Sequence, residues 1–253
     1  MSFKERLKPY LPMSWRRAYW RLQFGLRVLH EVNYSSLRGL RSLSRSRLLL
    51  HARLQSYISI EGLLALEAMA AKVISEGVPG DIVECGVCNG GSSLVLAQAL
   101  KASPDRRLWL FDSFQGLPVP TAIDGPTAPA FAGKVVGSED KVRRLLKRAG
   151  VPMERVHIAA GWFHETFPQV QIDGIAFLHI DADFYEPVLL SLERFYDAVA
   201  VGGFVVLDDY YDLEWPGCKA ALEEFTARRR LALNLLPGPP AHFRKERQVS
   251  PAR

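Results

Sequence analysis

The sequence has 253 residues, of which 48% are hydrophobic and 23% are charged. These values are ordinary for a globular protein, and the length allows one large α/β domain with an additional arm. No apolar run reaches the roughly 18–20 residues that a membrane-spanning helix needs. The three cysteines, Cys85, Cys88 and Cys218, argue against a disulfide framework and fit a reducing compartment. We therefore expect a cytoplasmic protein without a secretory leader.

Charge is distributed unevenly along the chain. Residues 1–53 contain twelve Lys or Arg and two Glu, a formal charge of +10, which leaves −5 on residues 54–253. Such an arm can contact anionic lipid, nucleic acid or an acidic partner, or it can be the solvated face of helices packed on the body. We favour the second interpretation and expect no nucleic-acid partner, because no aromatic and basic RNA-binding module is evident. Peripheral contact with the inner membrane surface stays open, and we expect a homo-oligomer.

The N-terminal part of the chain is predicted to be helical. Residues 1–58 form a basic, amphipathic helical arm in this prediction, with Trp and Leu side chains among the arginines. Ser59 then opens a helix that Gly77 and Pro79-Gly80 end. We place the start of the main domain, residues 59–253, at this helix.

The main domain alternates between strand and helix patterns. The five predicted strands of its centre are Asp81–Val87, Arg107–Ser113, Val156–Gly161, Gly174–Asp181 and Gly202–Asp209. The helical patterns between them lie near Ser92–Lys101, Ser138–Ala149, Glu186–Ala200 and Pro216–Arg230. Two more strand candidates, Leu231–Leu236 and Ala241–Lys245, flank a proline-rich turn that is typical of an edge hairpin. The fold class is therefore α/β, with a mostly parallel, seven-stranded sheet and helices on both faces.

One long segment of the domain has no clear period. Residues 117–137 are rich in Pro, Ala and Gly. A structureless stretch of this length inside a compact domain is usually a lid, a binding loop or disordered.

Carboxylates follow two of the predicted strands at the point where each strand ends. Asp181 and Asp183 follow the fourth strand, and Asp208 and Asp209 follow the fifth. Ligands of open parallel sheets bind at the carboxyl ends of the strands, so we expect the four side chains to share one rim. Crowded carboxylates repel one another unless a cation or a proton lies among them, and hard oxygen ligands suit Mg²⁺ first. The alternative is that each Asp is an ordinary turn or cap residue.

A glycine-bearing turn follows the first predicted strand. It is not a G-x-G-x-x-G motif but reads Glu84-Cys85-Gly86-Val87-Cys88-Asn89-Gly90-Gly91-Ser92. Glu84 would repel a pyrophosphate but suits a cationic ligand such as the amino-acid part of S-adenosylmethionine. Asp112 ends the next strand, where such folds place a carboxylate on ribose hydroxyls. The alternative is an ordinary strand-to-helix turn.

Two further residue types allow a functional or a structural interpretation. The pair Cys85 and Cys88 has the spacing of a redox or zinc motif, but zinc needs two more ligands and Cys218 is distant, so we interpret the cysteines as incidental. His179 lies inside an apolar strand and is predicted to be a core histidine.

In this order, the segments resemble the macrocin O-methyltransferase family (the TylF type). The resemblance runs from about Ser59 to Phe225, and five segments carry it: Pro79–Val87 with Gly90–Ser93, Phe111–Pro118, Gly161–Phe163 with Thr166–Pro168, His179–Glu186, and Leu207–Tyr210 with Trp215–Lys219. The family implies a Rossmann-like class I fold and methylation of a sugar hydroxyl that depends on Mg²⁺ and S-adenosylmethionine.

The resemblance also implies roles for individual residues. The metal ligands would be Asp181, Asp208 and Asp209, and the general base would be Asp183. The cofactor contacts would be Glu84, Gly86, Ser92, Asp112, Ser113, Gly161, Trp162 and Asp181.

These roles lead to a hypothesis of in-line methyl transfer. Binding to Mg²⁺ lowers the pKa of a sugar hydroxyl, and Asp183 takes the proton. The expected acceptor is a small molecule or glycan with hydroxyls, and a vicinal diol could chelate the metal with two oxygens. Two other classes stay open: a catechol-like small-molecule O-methyltransferase, and a nucleotide-binding or dehydrogenase-like α/β protein.

Overall fold

The computed structural model describes residues 43–236 and 240–246. The predictions for the arm therefore lie outside the described residues as far as residue 42.

A six-stranded sheet forms the centre of the described part of the chain. Its strands are β1 (Asp81–Cys85), β2 (Leu108–Asp112), β3 (Val156–Ala160), β4 (Ile175–Ile180), β5 (Val199–Leu207) and β6 (Ala241–Arg244). The described α-helices are α1 (Leu43–Leu54), α2 (Ile60–Ser75), α3 (Gly91–Leu96), α4 (Gln98–Ala102), α5 (Glu139–Arg148), α6 (Phe163–Thr166), α7 (Tyr185–Phe195) and α8 (Gly217–Arg229). The strand order is β3-β2-β1-β4-β5-β6, with β6 antiparallel to β5 and every other pair parallel.

Each face of the sheet is covered by helices, which explains why most residues of its central strands are apolar. All six residues of β4 are buried. Phe177 and Val206 point into one core cluster with side chains from α1 to α5. Leu178 and Val205 point into a second cluster with α7 and α8. The predicted fold class, an α/β sheet with helices on both faces, is confirmed.

The helices α1 and α2 extend the first cluster. Ser59 caps α2, where its side-chain oxygen accepts the N–H of Gly62 at 3.1 Å, as the sequence predicts. Leu49 and Ala52 of α1 are 1% and 0% exposed. Residues of α1, which the sequence assigns to the arm, are therefore part of the packed body.

The prediction of a seventh strand at Leu231–Leu236 is wrong. Leu231, Leu233 and Leu235 pack against the second core cluster. The segment pairs with β6 through a single bridge, in which the N–H of Leu236 donates to the carbonyl of His242 at 2.8 Å. Pro237 follows directly and has no N–H for a ladder, so packing rather than pairing holds this segment.

The topology determines where a ligand can bind. β1 lies between β2 and β4, so the chain leaves β1 toward one side and later returns to the other. A crevice forms at such a switch point, outside the carboxyl ends of the strands. The loops after β1, β2, β4 and β5 meet there.

Candidate active site

The predicted carboxylate rim lies at the carboxyl ends of β4 and β5. Ile180 and Leu207 are partners in the parallel ladder, so the residues that follow them are neighbours. One ligand atom from each of Asp181, Asp208 and Asp209 lies within 4.8 Å of the others. The structure therefore brings together three residues that the sequence placed on one rim.

The electrostatics of this cluster favour a bound cation. Burial raises the pKa of Asp181 and of Asp209 well above the usual range, and the neighbouring carboxylates raise both further. Burial also raises the pKa of Asp208. Because the charged forms repel in a poorly solvated place, a divalent cation would relieve them, and a set of carboxylate oxygens suits Mg²⁺. The donor set therefore fits the predicted metal.

Asp183 occupies a sharp turn beside the cluster. Its φ is 58°, in the left-handed region that non-glycine residues rarely adopt, and its N–H donates to Oδ2 of Asp209 at 2.9 Å. Burial, with the carboxylates of Asp208, Asp212 and Asp112, raises the pKa of Asp183 to about 7. The turn thus holds a carboxylate beside the cluster that can accept a proton near neutral pH.

The glycine turn after β1 approaches the rim closely. Gly86 has a φ of 92°, and a Cβ there would lie 1.7 Å from the backbone oxygen of Asp181. Only glycine fits this approach. The N–H groups of Val87 and Cys88 donate to Oδ2 of Asp112 at 2.8 Å each, so the carboxylate at the end of β2 holds the turn.

Glu84 lies beneath this turn. It is completely buried, its Oε2 accepts from the hydroxyl of Ser93, and its Oε1 lies 3.1 Å from Nδ1 of His179. Glu84 does not line the cavity described below. This geometry gives Glu84 the role of connecting β1, α3 and β4 beneath the turn, and His179 is a core histidine, as the sequence predicts.

A cavity of about 930 Å³ opens above the rim and the glycine turn. Nine of the eleven predicted site residues line it: Gly86, Ser92, Asp112, Ser113, Trp162, Asp181, Asp183, Asp208 and Asp209. Glu84 and Gly161 do not.

Other lining residues were missed by the sequence reasoning. Gln55, Ser56 and Tyr57, between α1 and α2, border the cavity, as do Asp212 and Trp215 after β5. No local pattern identifies the first three, because they reach the cavity only through the packing of α1 against α3. Asp212 and Trp215 follow Asp208 and Asp209 within a few residues, and this closeness in sequence is the signal that could have placed them at the cavity.

The cysteines have no reactive environment. Burial and the carboxylate of Asp112 raise the pKa of Cys88 to about 11, and burial raises the pKa of Cys85 and of Cys218. Thiolates are the nucleophilic and metal-binding form, so this geometry supports the interpretation of Cys85 and Cys88 as incidental.

Comparison with known proteins identifies the family. The model of the TylF macrocin-O-methyltransferases matches residues 54–237. The chain belongs to the macrocin-O-methyltransferase family. This methyltransferase is 36% identical over 192 residues to demethyldecarbamoylnovobiocin O-methyltransferase of Streptomyces niveus, covering 73% of this chain and 72% of that protein. It is 32% identical over 184 residues to mycinamicin III 3''-O-methyltransferase of Micromonospora griseorubida, covering 69% and 71%.

Solved structures agree with this assignment. The O-methyltransferase NovP has a TM-score of 0.71 and 33% identity, with 76% of this chain and 83% of that chain covered. The calicheamicin methyltransferase CalS11 has a TM-score of 0.65 and 25% identity, with 88% and 91% covered. The resemblance to O-methyltransferases and the Rossmann-like class I fold expected from the sequence are confirmed, with six strands in the described residues rather than seven.

Proposed function

We propose that this methyltransferase transfers a methyl group from S-adenosylmethionine to a hydroxyl of a sugar, with the help of Mg²⁺. The observation that carries the proposal is the carboxylate cluster of Asp181, Asp208 and Asp209 beside Asp183, at the edge of a cavity that the glycine turn also borders. The activities for which the relatives are named, which include 3''-O-methylation of mycinamicin III, support the choice of a sugar.

The protein residues divide the work between binding and proton transfer. Asp181, Asp208 and Asp209 would hold the metal. When bound, S-adenosylmethionine supplies the methyl group, and Mg²⁺ makes an alcohol a stronger acid. Asp183 would accept the hydroxyl proton, because its carboxyl faces the same cavity and its turn is fixed by the hydrogen bond to Asp209.

The cofactor would lie over the glycine turn. Gly86 leaves room for close approach, Ser92 borders the cavity from the start of α3, and Asp112 and Ser113 border it from the end of β2. Asp112 would reach the ribose with the oxygen lone pairs that its backbone N–H partners leave free. Trp162 would add a flat apolar surface for the adenine ring. Glu84 and Gly161 would act by supporting these segments.

The acceptor would lie between the carboxylate cluster and an apolar wall. Leu117, Pro118, Val119, Phe131 and Trp215 line this side of the cavity. Phe131 and Trp215 pack edge to face with their ring centroids 4.8 Å apart. A sugar that carries an apolar group would fit, with its hydroxyls toward the cluster.

A direct assay tests the proposal. Purified protein with labelled S-adenosylmethionine and Mg²⁺ is incubated with demethyldecarbamoylnovobiocin, mycinamicin III, 4-nitrophenyl α-L-rhamnoside and catechol. Label transfer to a glycoside that EDTA abolishes and Mg²⁺ restores is the expected result. Transfer to catechol alone would favour a catechol-type enzyme instead. Calorimetric binding of NADH in place of S-adenosylhomocysteine would contradict the cofactor assignment.

The remaining expectations concern the arm, the assembly and the location of the protein. The basic helical arm over residues 1–58, homo-oligomerisation, peripheral membrane contact and the cytoplasmic location stay predictions. Within residues 43–236 and 240–246, no helix is both long enough and apolar enough to cross a bilayer.

A further inference from the structure

The loop that borders the acceptor side of the cavity is fastened by one buried carboxylate. Residues 117–137 contain two short 3₁₀-helices, Ala122–Asp124 and Ala128–Phe131. Part of the apolar wall comes from residues 117–119, before the first 3₁₀-helix, and from Phe131, at the end of the second. Asp124 ends the first 3₁₀-helix and is only 1% exposed. Burying a carboxylate without hydrogen-bond partners costs free energy, so the partners of Asp124 indicate its role.

Asp124 accepts hydrogen bonds from two different parts of the chain. Its Oδ2 accepts the N–H of Thr121 at 2.7 Å and the hydroxyl of Thr121 at 2.9 Å, which closes the 3₁₀-turn. Its Oδ1 accepts the N–H of Tyr185 at 2.5 Å, across 61 residues. Tyr185 is the first residue of α7, and the side chain of the N-cap residue, Phe184, makes no capping bond. Asp124 therefore provides the cap of α7 from a distant loop.

The capped end of α7 is also the end of the turn that holds Asp183. The backbone N–H of Asp183 is bonded to Asp209 on one side of the turn, and the N–H of Tyr185 is bonded to Asp124 on the other. Asp183 lies between these two hydrogen bonds, which hold its backbone in the left-handed conformation. The position of the Asp183 carboxyl thus depends on both carboxylates.

The start of α8 closes the space behind Asp124. A Cβ on Gly217 would lie 2.0 Å from Oδ1 of Asp124 and 2.6 Å from the nitrogen of Tyr185. Trp215, two residues earlier, donates from its ring N–H to the hydroxyl of Thr127 at 3.2 Å. The loop, the turn and α8 therefore meet at the hydrogen bond between Asp124 and Tyr185.

We propose that Asp124 is a positioning residue, which joins the acceptor-side loop to the turn that carries Asp183. The proposal rests on the proposed function, because it assigns Asp124 an effect on methyl transfer through Asp183. Asp124 does not line the cavity in which the cofactor and the acceptor would bind. Asp124 would keep the apolar wall of the loop and the carboxyl of Asp183 at a fixed distance and orientation while the sugar hydroxyl reacts.

Three variants of the full chain test this role. Asp124→Asn cannot satisfy both sets of donors, because an amide has one oxygen and must turn its N–H₂ toward the N–H of either Thr121 or Tyr185, which weakens the hold on Tyr185. Gly217→Ala disturbs the same bond from α8 without changing a polar group. Thr121→Ala is the matched control, because it removes the two hydroxyl bonds within the 3₁₀-turn, to Asp124 and from the N–H of Ile123, and leaves the bond to Tyr185.

The expected result separates positioning from folding. Asp124→Asn and Gly217→Ala should lower kcat roughly tenfold to a hundredfold per folded molecule, whereas Thr121→Ala stays within about threefold of wild type. The affinity for S-adenosylhomocysteine, measured by calorimetry, should change less than about threefold in all three. Hydrogen exchange of the Tyr185 amide should become faster in the first two variants only.

Two outcomes would overturn the assignment. If Asp124→Asn and Gly217→Ala lower the Tm but keep wild-type kcat per folded molecule, Asp124 is only structural. If exchange at Tyr185 is unchanged in folded variants, the bond does not hold the turn. Failure of wild-type protein to methylate any of the test glycosides would instead reject the proposed function, and the exchange measurement would still decide whether Asp124 holds Tyr185.

Discussion

Asp183 shares its neighbourhood with three carboxylates, yet its position differs from theirs. Asp181, Asp208 and Asp209 converge to within 4.8 Å, whereas Asp183 lies on the following turn with its backbone bonded to Asp209. This arrangement separates a set of oxygens that can hold a cation from one carboxylate that can accept a proton. The distinction can be tested by removing one charge at a time.

Asp183→Asn should abolish proton transfer while leaving the cofactor site intact. Since a general base contributes a factor of about 10²–10⁴, kcat should fall by at least roughly a hundredfold. Calorimetry with S-adenosylhomocysteine should show unchanged affinity. Asp212→Asn is the control, because Asp212 also lines the cavity and its Oδ1 can still accept from Glu214 and Trp215 after the change. Near-normal turnover of Asp183→Asn would contradict the assignment of the base.

Asp208→Asn should separate metal binding from folding. In Mg²⁺ at about 100 times its Kd, wild-type protein should gain about 2.7 kcal/mol of unfolding free energy, or roughly 5–10 °C in Tm for a domain of this size. The variant should lose this gain and should be more stable than wild type in EDTA, because one of the repelling charges is absent. Asp208 is chosen for substitution rather than Asp209, because the carboxylate of Asp209 also accepts the N–H of Asp183 and its loss would disturb the turn. A variant that keeps the full Mg²⁺-dependent rise in Tm would exclude Asp208 as a ligand.

At the scale of elements, the ends of β1 and β4 are fitted to one another. The turn after β1 passes so close to Asp181 that Gly86 cannot carry a side chain, and Asp112 at the end of β2 holds the same turn through two N–H groups. The glycine turn and the carboxylate rim therefore form one unit. A change at Gly86 should affect both.

Gly86→Ala should lower the free energy of unfolding far more than the replacement of another glycine whose φ is also positive. The control is Gly150→Ala, since Gly150 has a φ of 68° and an added Cβ meets nothing within 4 Å. The control should lose about 1–2 kcal/mol, the cost of the left-handed conformation alone. Gly86→Ala adds a collision with the backbone of Asp181, so thermal unfolding should show a larger loss, and binding of both S-adenosylhomocysteine and Mg²⁺ should weaken. Equal losses for the two variants would mean that the close approach has no role.

The elements of the site differ in how far the sequence predicts them. The carboxylates after β4 and β5 are predictable, because apolar runs that end in Asp mark strand ends and parallel strands present those ends together. The contact between Glu84 and His179 is not predictable from the sequence, because it joins residues 95 positions apart through the register of β1 with β4. The strand expected at Leu231–Leu236 fails because its leucines are used for packing, and an alternating apolar pattern does not distinguish packing from pairing.

The loop between α1 and α2 shows the same limit. Tyr57 is 76% exposed and borders the cavity, although the sequence places it in a basic arm. Its position follows from the close packing of α1 on α3, where a Cβ on Gly91 would lie 2.3 Å from the backbone oxygen of Ala52. Such a contact between helices depends on tertiary packing and leaves no periodic signal in either segment.

At the scale of the whole molecule, the charge of the cavity limits the acceptor. Its carboxylates belong to Asp112, Asp181, Asp183, Glu186, Asp208, Asp209 and Asp212. Among the described residues that line it, none is Lys or Arg. A bound Mg²⁺ and a sulfonium cofactor would offset only part of this charge. A diphosphate group in the same cavity would meet the remaining negative charge without a Lys or Arg partner among these lining residues, whereas a neutral group would not be repelled.

We therefore expect the enzyme to act on a sugar after it has been transferred from its nucleotide carrier. The matched pair of acceptors is 4-nitrophenyl α-L-rhamnoside and TDP-rhamnose, which present the same sugar on a neutral and on an anionic group. At low ionic strength, kcat/KM should be at least roughly a hundredfold higher for the neutral glycoside, which corresponds to about 2.7 kcal/mol of transition-state binding. The difference should shrink as salt screens the repulsion. A preference for TDP-rhamnose that decreases with salt would show instead that cationic groups, such as the arginines of residues 1–42, neutralise the cavity in the working enzyme.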